Sequence, residues 1–123
     1  MSSYFISPPE ANNWEISPNL LAEELKSQWA NIQVETVDAV QSIHALSWIL
    51  QISEWRLDGT LTKEGNVVHL DGDVRACAAF AIWFRTIIPI EQDLIFYDEA
   101  YSSDIALNEG MTEVDLIEPF IVT

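Results

Sequence analysis

Five carboxylates lie in two short stretches where a cation or a proton could be handled. Asp71 and Asp73 flank a glycine in the run DGD, and Asp98, Glu99 and Asp104 follow the apolar tetrapeptide LIFY at residues 94–97. Loops rich in carboxylate oxygens bind Mg²⁺ or Ca²⁺, and paired acids can divide general acid and base roles. Loops that leave a buried strand are also where binding groups collect. The two stretches form a site only if the fold brings them together. The sequence contains no EF-hand loop, HExxH pair or Walker spacing, so no metal or cofactor is expected. A helix cap accounts for Asp73, and a solvated loop accounts for Asp98 and Glu99.

Cys77 with His69 is a second candidate. A thiol early in a helix, near a histidine and Arg75, is the setting in which cysteine becomes nucleophilic. Ala76, Ala78 and Phe80 surround it in sequence, however, and free cysteine is commonly a small core residue. His44 and His69 make no recognised zinc set, and there is neither a glycine-rich phosphate loop nor a GxSxG elbow. No residue is assigned as catalytic.

Tryptophan supplies the third candidate. There are five in 123 residues. Trp29, Trp48 and Trp83 fall on apolar faces. Trp14, in a Pro/Asn-rich loop, and Trp55, on a strand that also bears Arg56 and Asp58, do not. Tryptophan is enriched at binding hot spots. Trp14, Trp55, Asp98, Glu99 and Asp104 are therefore the candidate binding residues, with a lid over the core as the other role for Trp14.

Twenty acidic residues against five basic give a net charge of −15. All five positive charges fall between positions 26 and 85, whereas residues 86–123 hold nine acids and no Lys, Arg or His. Nucleic-acid binding needs clustered Lys and Arg, and anionic membranes repel such a chain, so both partners are excluded. A basic protein partner is favoured instead. Hydrophobic residues make up 49% of the chain, and the mean hydropathy is +0.10, enough to bury a core. A lone cysteine forms no internal disulfide. The start MSSYFISPPE lacks the pattern of a signal peptide, and no run reaches the roughly 20 apolar residues of a membrane span. A cytoplasmic protein forming a single domain over residues 1–123 is expected.

The elements that must position these groups follow from periodicity and caps. YFIS reads as a short strand ended by Pro8-Pro9. Ser17 and Pro18 open a helix with Leu20, Leu21, Leu25 and Trp29 inward. Residues 32–37 and 45–52 read as strands. In 54–62, Trp55, Leu57 and Leu61 point one way and Arg56, Asp58 and Thr60 the other. It is open whether 45–52 and 54–62 form one bent strand or two. KEGN turns the chain into VVHL, and DGD is a second turn from which Asp73 caps a helix over 74–88.

That helix is apolar nearly all round. Arg75 and Arg85, about 80° apart on the wheel, mark its outer edge. So much apolar circumference leaves room for a homodimer. LIFY is apolar on both faces, as in a central strand covered on both sides. A short edge strand or irregular segment follows. Thr112 and Asp115 form a capping box for a last helix stopped by Pro119.

The order predicts an α+β two-layer sandwich, with a mixed or mostly antiparallel sheet of about five to six strands, two main helices and a short C-terminal helix. It resembles a split βαβ arrangement with an added hairpin. The functional expectation is a non-enzymatic acidic interaction domain, in one version an inhibitor or immunity-type protein that neutralises a basic partner. The alternative is a small enzyme or metal- or ligand-binding domain built on the carboxylate loops at 71–73 and 98–104.

Overall fold

The computed structural model describes residues 2–10, 14–37 and 43–121. Seven strands and three helices follow the chain: β1 (Ser2–Ser7), α1 (Pro18–Gln28), β2 (Gln33–Thr36), β3 (His44–Ile52), β4 (Trp55–Thr62), β5 (Val68–Gly72), α2 (Val74–Ile87), β6 (Ile95–Asp98), β7 (Asp104–Ala106) and α3 (Glu113–Ile121). The sheet order is β2-β3-β4-β5-β1-β6-β7, and all neighbours pair antiparallel. Because β5 and β6 both run antiparallel to β1, they are parallel to each other, and α2 joins them across β1. That is the split βαβ unit expected from the order, with β2-β3-β4 extending one side and β7 the other. The expected α+β class holds, with more strands than the five to six counted from sequence.

Strand alternation divides the sheet into two faces. Tyr4, Ile6, Leu46, Trp48, Leu50, Leu57, Leu61, Val68, Leu70 and Phe96 are buried and form one cluster with residues of all three helices. Leu21 and Leu25 come from α1, and Leu116 comes from α3. Cys77, Phe80, Ala81 and Phe84 come from α2. Phe80 lies at its centre, stacked on Trp48 at 5.7 Å and on Trp29 at 5.8 Å. Among the described residues no helix is long and apolar enough to cross a membrane.

Local chemistry sets the ends of the elements. Ser17 accepts from the Leu20 amide to start α1, and Asp73 accepts from the Arg75 amide at 2.9 Å to start α2. Thr112 and Asp115 exchange the two bonds of the capping box before α3. Ser53, with φ 56, turns β3 into β4, so these are two strands.

Several expectations need correction. Leu20 is exposed, since the inward face of α1 is filled by Leu21 and Leu25. Asp71 and Gly72 end β5 instead of forming a turn, because both pair with β1 and β4. Arg85 is only 7% exposed, not at an outer edge. α3 and the chain before it pack against that side of α2. Pro119 lies inside α3. The helix runs on to Ile121 because Phe120 packs edge-on against Tyr4 at 5.3 Å and Phe96 at 5.6 Å, which offsets one missing backbone bond. Finally, β6 is the sixth strand of seven, and helices cover only one of its faces. Its second apolar face has another cover.

Candidate functional site

The carboxylates at 71–73 and 98–104 make separate local contacts. Asp73 is taken up by its cap and by Arg75, whose Nε lies 2.8 Å from Oδ1. The Arg75 guanidinium holds the Asp73 carboxyl below its ordinary range. Asp98 accepts from the Ser102 amide at 2.8 Å and from the Ser102 hydroxyl, closing the turn after β6. Glu99 and Asp104 are exposed. Among the described residues no group of three His, Cys, Asp or Glu side chains could hold a metal ion.

Cys77 is fully buried on the helix side, and burial pushes its thiol up to about 12. His69 points to the other side of the sheet, so the two cannot act together.

Trp14 and Trp55 are half-buried and pack against the core. The Asn12-Asn13 part of the Pro/Asn-rich loop lies outside the described residues. The Arg75 guanidinium lies over the Trp55 ring, 4.4 Å from its centroid. Trp55 shares a sheet end with Asp98 but stands three strands away, about 14 Å at the usual spacing. The five candidates therefore do not form one cluster.

A cleft of about 510 Å³ opens between the end of α2 and residues 107–111. Ile82, Ile88, Pro89, Ile90, Leu107 and Met111 give it an apolar lining, beside Arg85. The Arg85 guanidinium donates to the carbonyls of Gln92 at 2.8 Å, Pro89 at 2.6 Å, Ile88 at 3.2 Å and Leu107 at 3.4 Å. It thus ties the end of α2 to two connections, and burial lowers its pKa. Asp98, Glu99 and Asp104 do not line this cleft.

The helix-free face of the sheet has a more coherent arrangement. Register aligns one residue from every strand into a single row: Glu35, Ser47, Thr60, His69, Phe5, Tyr97 and Asp104. Carboxylates stand at both ends of this row, and its middle is a stack. Phe5 lies on His69 at 4.8 Å and on Tyr97 at 5.4 Å, and Tyr97 carries Tyr101 at 4.7 Å, all within 18° of parallel. Tyr101, at φ 54 in the turn after β6, covers Tyr97 and is itself 65% exposed. This is the missing cover of β6: Tyr97 is 8% exposed although, among the described residues, no helix lies over it. Burial raises the Tyr97 phenol above its ordinary range, and its oxygen lies 3.0 Å from the Ser7 hydroxyl.

The neighbouring row contains Gln33, Ile49, Asp58, Asp71 and Ser3. The Ser3 hydroxyl donates to Asp71, and His69 Nε2 lies 3.2 Å from Asp71 Oδ1. Beyond Ser3, the Glu99 amide donates to the Ser3 carbonyl, so Asp71 and Glu99 flank β1 on either side. The cation on these strands, Arg56, is held by Asp58 at 2.8 Å.

Sequence reasoning missed Phe5, His69, Tyr97 and Tyr101 as one group. The signal was present in YFIS and LIFY. Two strands apolar on both faces, in a chain with too few helices to cover a sheet twice, imply an aromatic second face. Compared with models of known protein families, with curated proteins and with solved structures, the chain matches none.

Proposed function

We propose that this chain is a cytoplasmic, non-enzymatic acidic interaction domain that meets a basic protein partner on the helix-free face of its sheet. The observation that carries this reading is the stacked row of His69, Phe5, Tyr97 and Tyr101, with Asp71 beside His69, Asp104 opposite Tyr97 and Glu35 further along the same face. Aromatic groups held rigid before contact lose little entropy on binding, and a surrounding acidic field steers a basic partner. Arg56 and Arg75 are each paired with an aspartate, and Arg85 is buried, so these three cations are already engaged within the domain. Neutralisation of a basic toxin or enzyme, as an inhibitor or immunity-type protein does, is one concrete form of this role.

The test is affinity capture from the native host with the wild-type chain and with a Glu35→Gln, Asp71→Asn, Asp104→Asn variant. A stoichiometric basic partner retained by the wild type, lost with the variant and weakened by salt is expected. Equal retention by the variant refutes the reading. A second reading, a small-ligand-binding domain, is supported by the 510 Å³ cleft beside Arg85 and not by the carboxylate loops.

A further inference from the structure

We propose that the partner engages this face through arginine, with a guanidinium laid on the outer side of the Tyr101 ring between Glu99 and Asp104. The inference rests on the interaction reading above and names the chemistry of its central contact.

Tyr101 is the exposed member of the stack. Its inner face lies on Tyr97 at 4.7 Å and 13°, and with 65% of the residue exposed its outer face is open. The turn fixes it there. The Tyr101 amide donates to the Asp98 carbonyl at 3.1 Å, and Asp98 in turn accepts from Ser102. A bulky residue at φ 54 is uncommon, and here the ring contact beneath it holds the conformation. The ring is thus presented before any partner arrives, which lowers the ordering cost of binding.

Charge completes the site. Asp104 stands opposite Tyr97 in the β6–β7 ladder, and Glu99 lies two residues before Tyr101; both are exposed. Chain positions 86–123 contain no basic side chain to occupy them. The molecule already contains one complete example of such a contact. Arg75 lies over Trp55 at 4.4 Å while Asp73 holds its Nε at 2.8 Å, so a ring and a carboxylate together fix one guanidinium. Tyr101, Asp104 and Glu99 offer a ring and carboxylates with the guanidinium still to come. Arginine is preferred over lysine because its flat cation stacks on a ring while its edge donates to carboxylates, whereas an ammonium is compact and strongly hydrated.

The test compares two peptides of equal charge, hexa-arginine and hexalysine, titrated into the full chain at low salt and followed by calorimetry. The arginine peptide is expected to bind about fivefold more tightly, as an exposed cation–π contact would give. Tyr101→Asn, which tolerates the left-handed backbone but removes the ring, should erase that preference, and Tyr101→Phe should keep it. Equal affinity for the two peptides in the wild type, or a preference that survives Tyr101→Asn, overturns the arginine site. If both peptides bind equally and the Glu35→Gln, Asp71→Asn, Asp104→Asn variant weakens both, the acidic interaction face stands and only the arginine contact falls. Binding of neither peptide overturns both.

Discussion

Gly59 lies in the middle of β4 because Trp48 occupies the space where a side chain would be. A Cβ at position 59 would stand 2.2 Å from Trp48 Cε2, 2.3 Å from Nε1 and 2.5 Å from Cζ2. Non-bonded carbons settle at about 3.5–4 Å, so the indole would have to withdraw by more than about 1 Å. It has nowhere to go. Trp48 is 1% exposed and stacks on Phe80, which stacks on Trp29 in turn. Overfilling a close-packed core costs roughly 1–3 kcal/mol, and the aromatic stack behind the ring puts Gly59→Ala near the upper end, about 2–3 kcal/mol. Urea denaturation measures this loss directly. Trp48→Leu should also destabilise, by about 2–3 kcal/mol, through the cavity it leaves. Adding Gly59→Ala to that variant should then cost less than about 0.5 kcal/mol, because the obstructing ring is gone. The two changes together would fall short of their sum by about 2 kcal/mol. Additivity within about 0.5 kcal/mol, or a wild-type cost of Gly59→Ala below that, would refute the steric account.

Cys77 makes stability depend on alkaline pH. Its folded thiol is pushed up to about 12 from 9.0, so the stabilisation is complete below pH 9 and is lost as pH rises toward 12. Three pH units correspond to about 4 kcal/mol, and thermal melts of Cys77→Ala should show a shallower decline than wild type over that range. Native Cys77 should also resist iodoacetamide at neutral pH, and rapid labelling would contradict its burial. Arg85→Met removes the donors to the carbonyls of Ile88, Pro89, Gln92 and Leu107 and should cost about 3 kcal/mol by chemical denaturation. Arg85→Lys should recover only part, because a single ammonium cannot reproduce the fork; a loss below about 1 kcal/mol for the methionine variant would show that water replaces the arginine freely.

Local chemistry was legible in the sequence wherever neighbours along the chain decide the outcome. Ser17, Asp73 and the Thr112–Asp115 box set their helix starts through bonds spanning two or three residues. The split of β4 into Trp55, Leu57 and Leu61 against Arg56, Asp58 and Thr60 followed from alternation. Errors arose where a distant element intervened. Nothing in its own helix tells that Arg85 is buried under the chain before α3, and the sequence does not show that α3 continues past Pro119, because Phe120's contacts with Tyr4 and Phe96 are long-range.

The candidate site divides along the same line. Composition by itself determined the sign and unevenness of the charge, and hence the kind of partner it favours. The sequence also assigns Asp98 and Glu99 to a solvated loop; Glu99 is exposed and Asp98 is half-buried. Only the tertiary structure decided which groups share a face. Phe5, His69 and Tyr97 lie 28 to 92 positions apart in the chain, yet they meet because β1 is inserted between β5 and β6. An insertion of that kind is a matter of strand order, which hydrophobic period does not encode: antiparallel neighbours read the same whichever strand lies beside them. The sequence carried an apolar second face on two strands; pairing turned those strands into one aromatic row with acids at its ends.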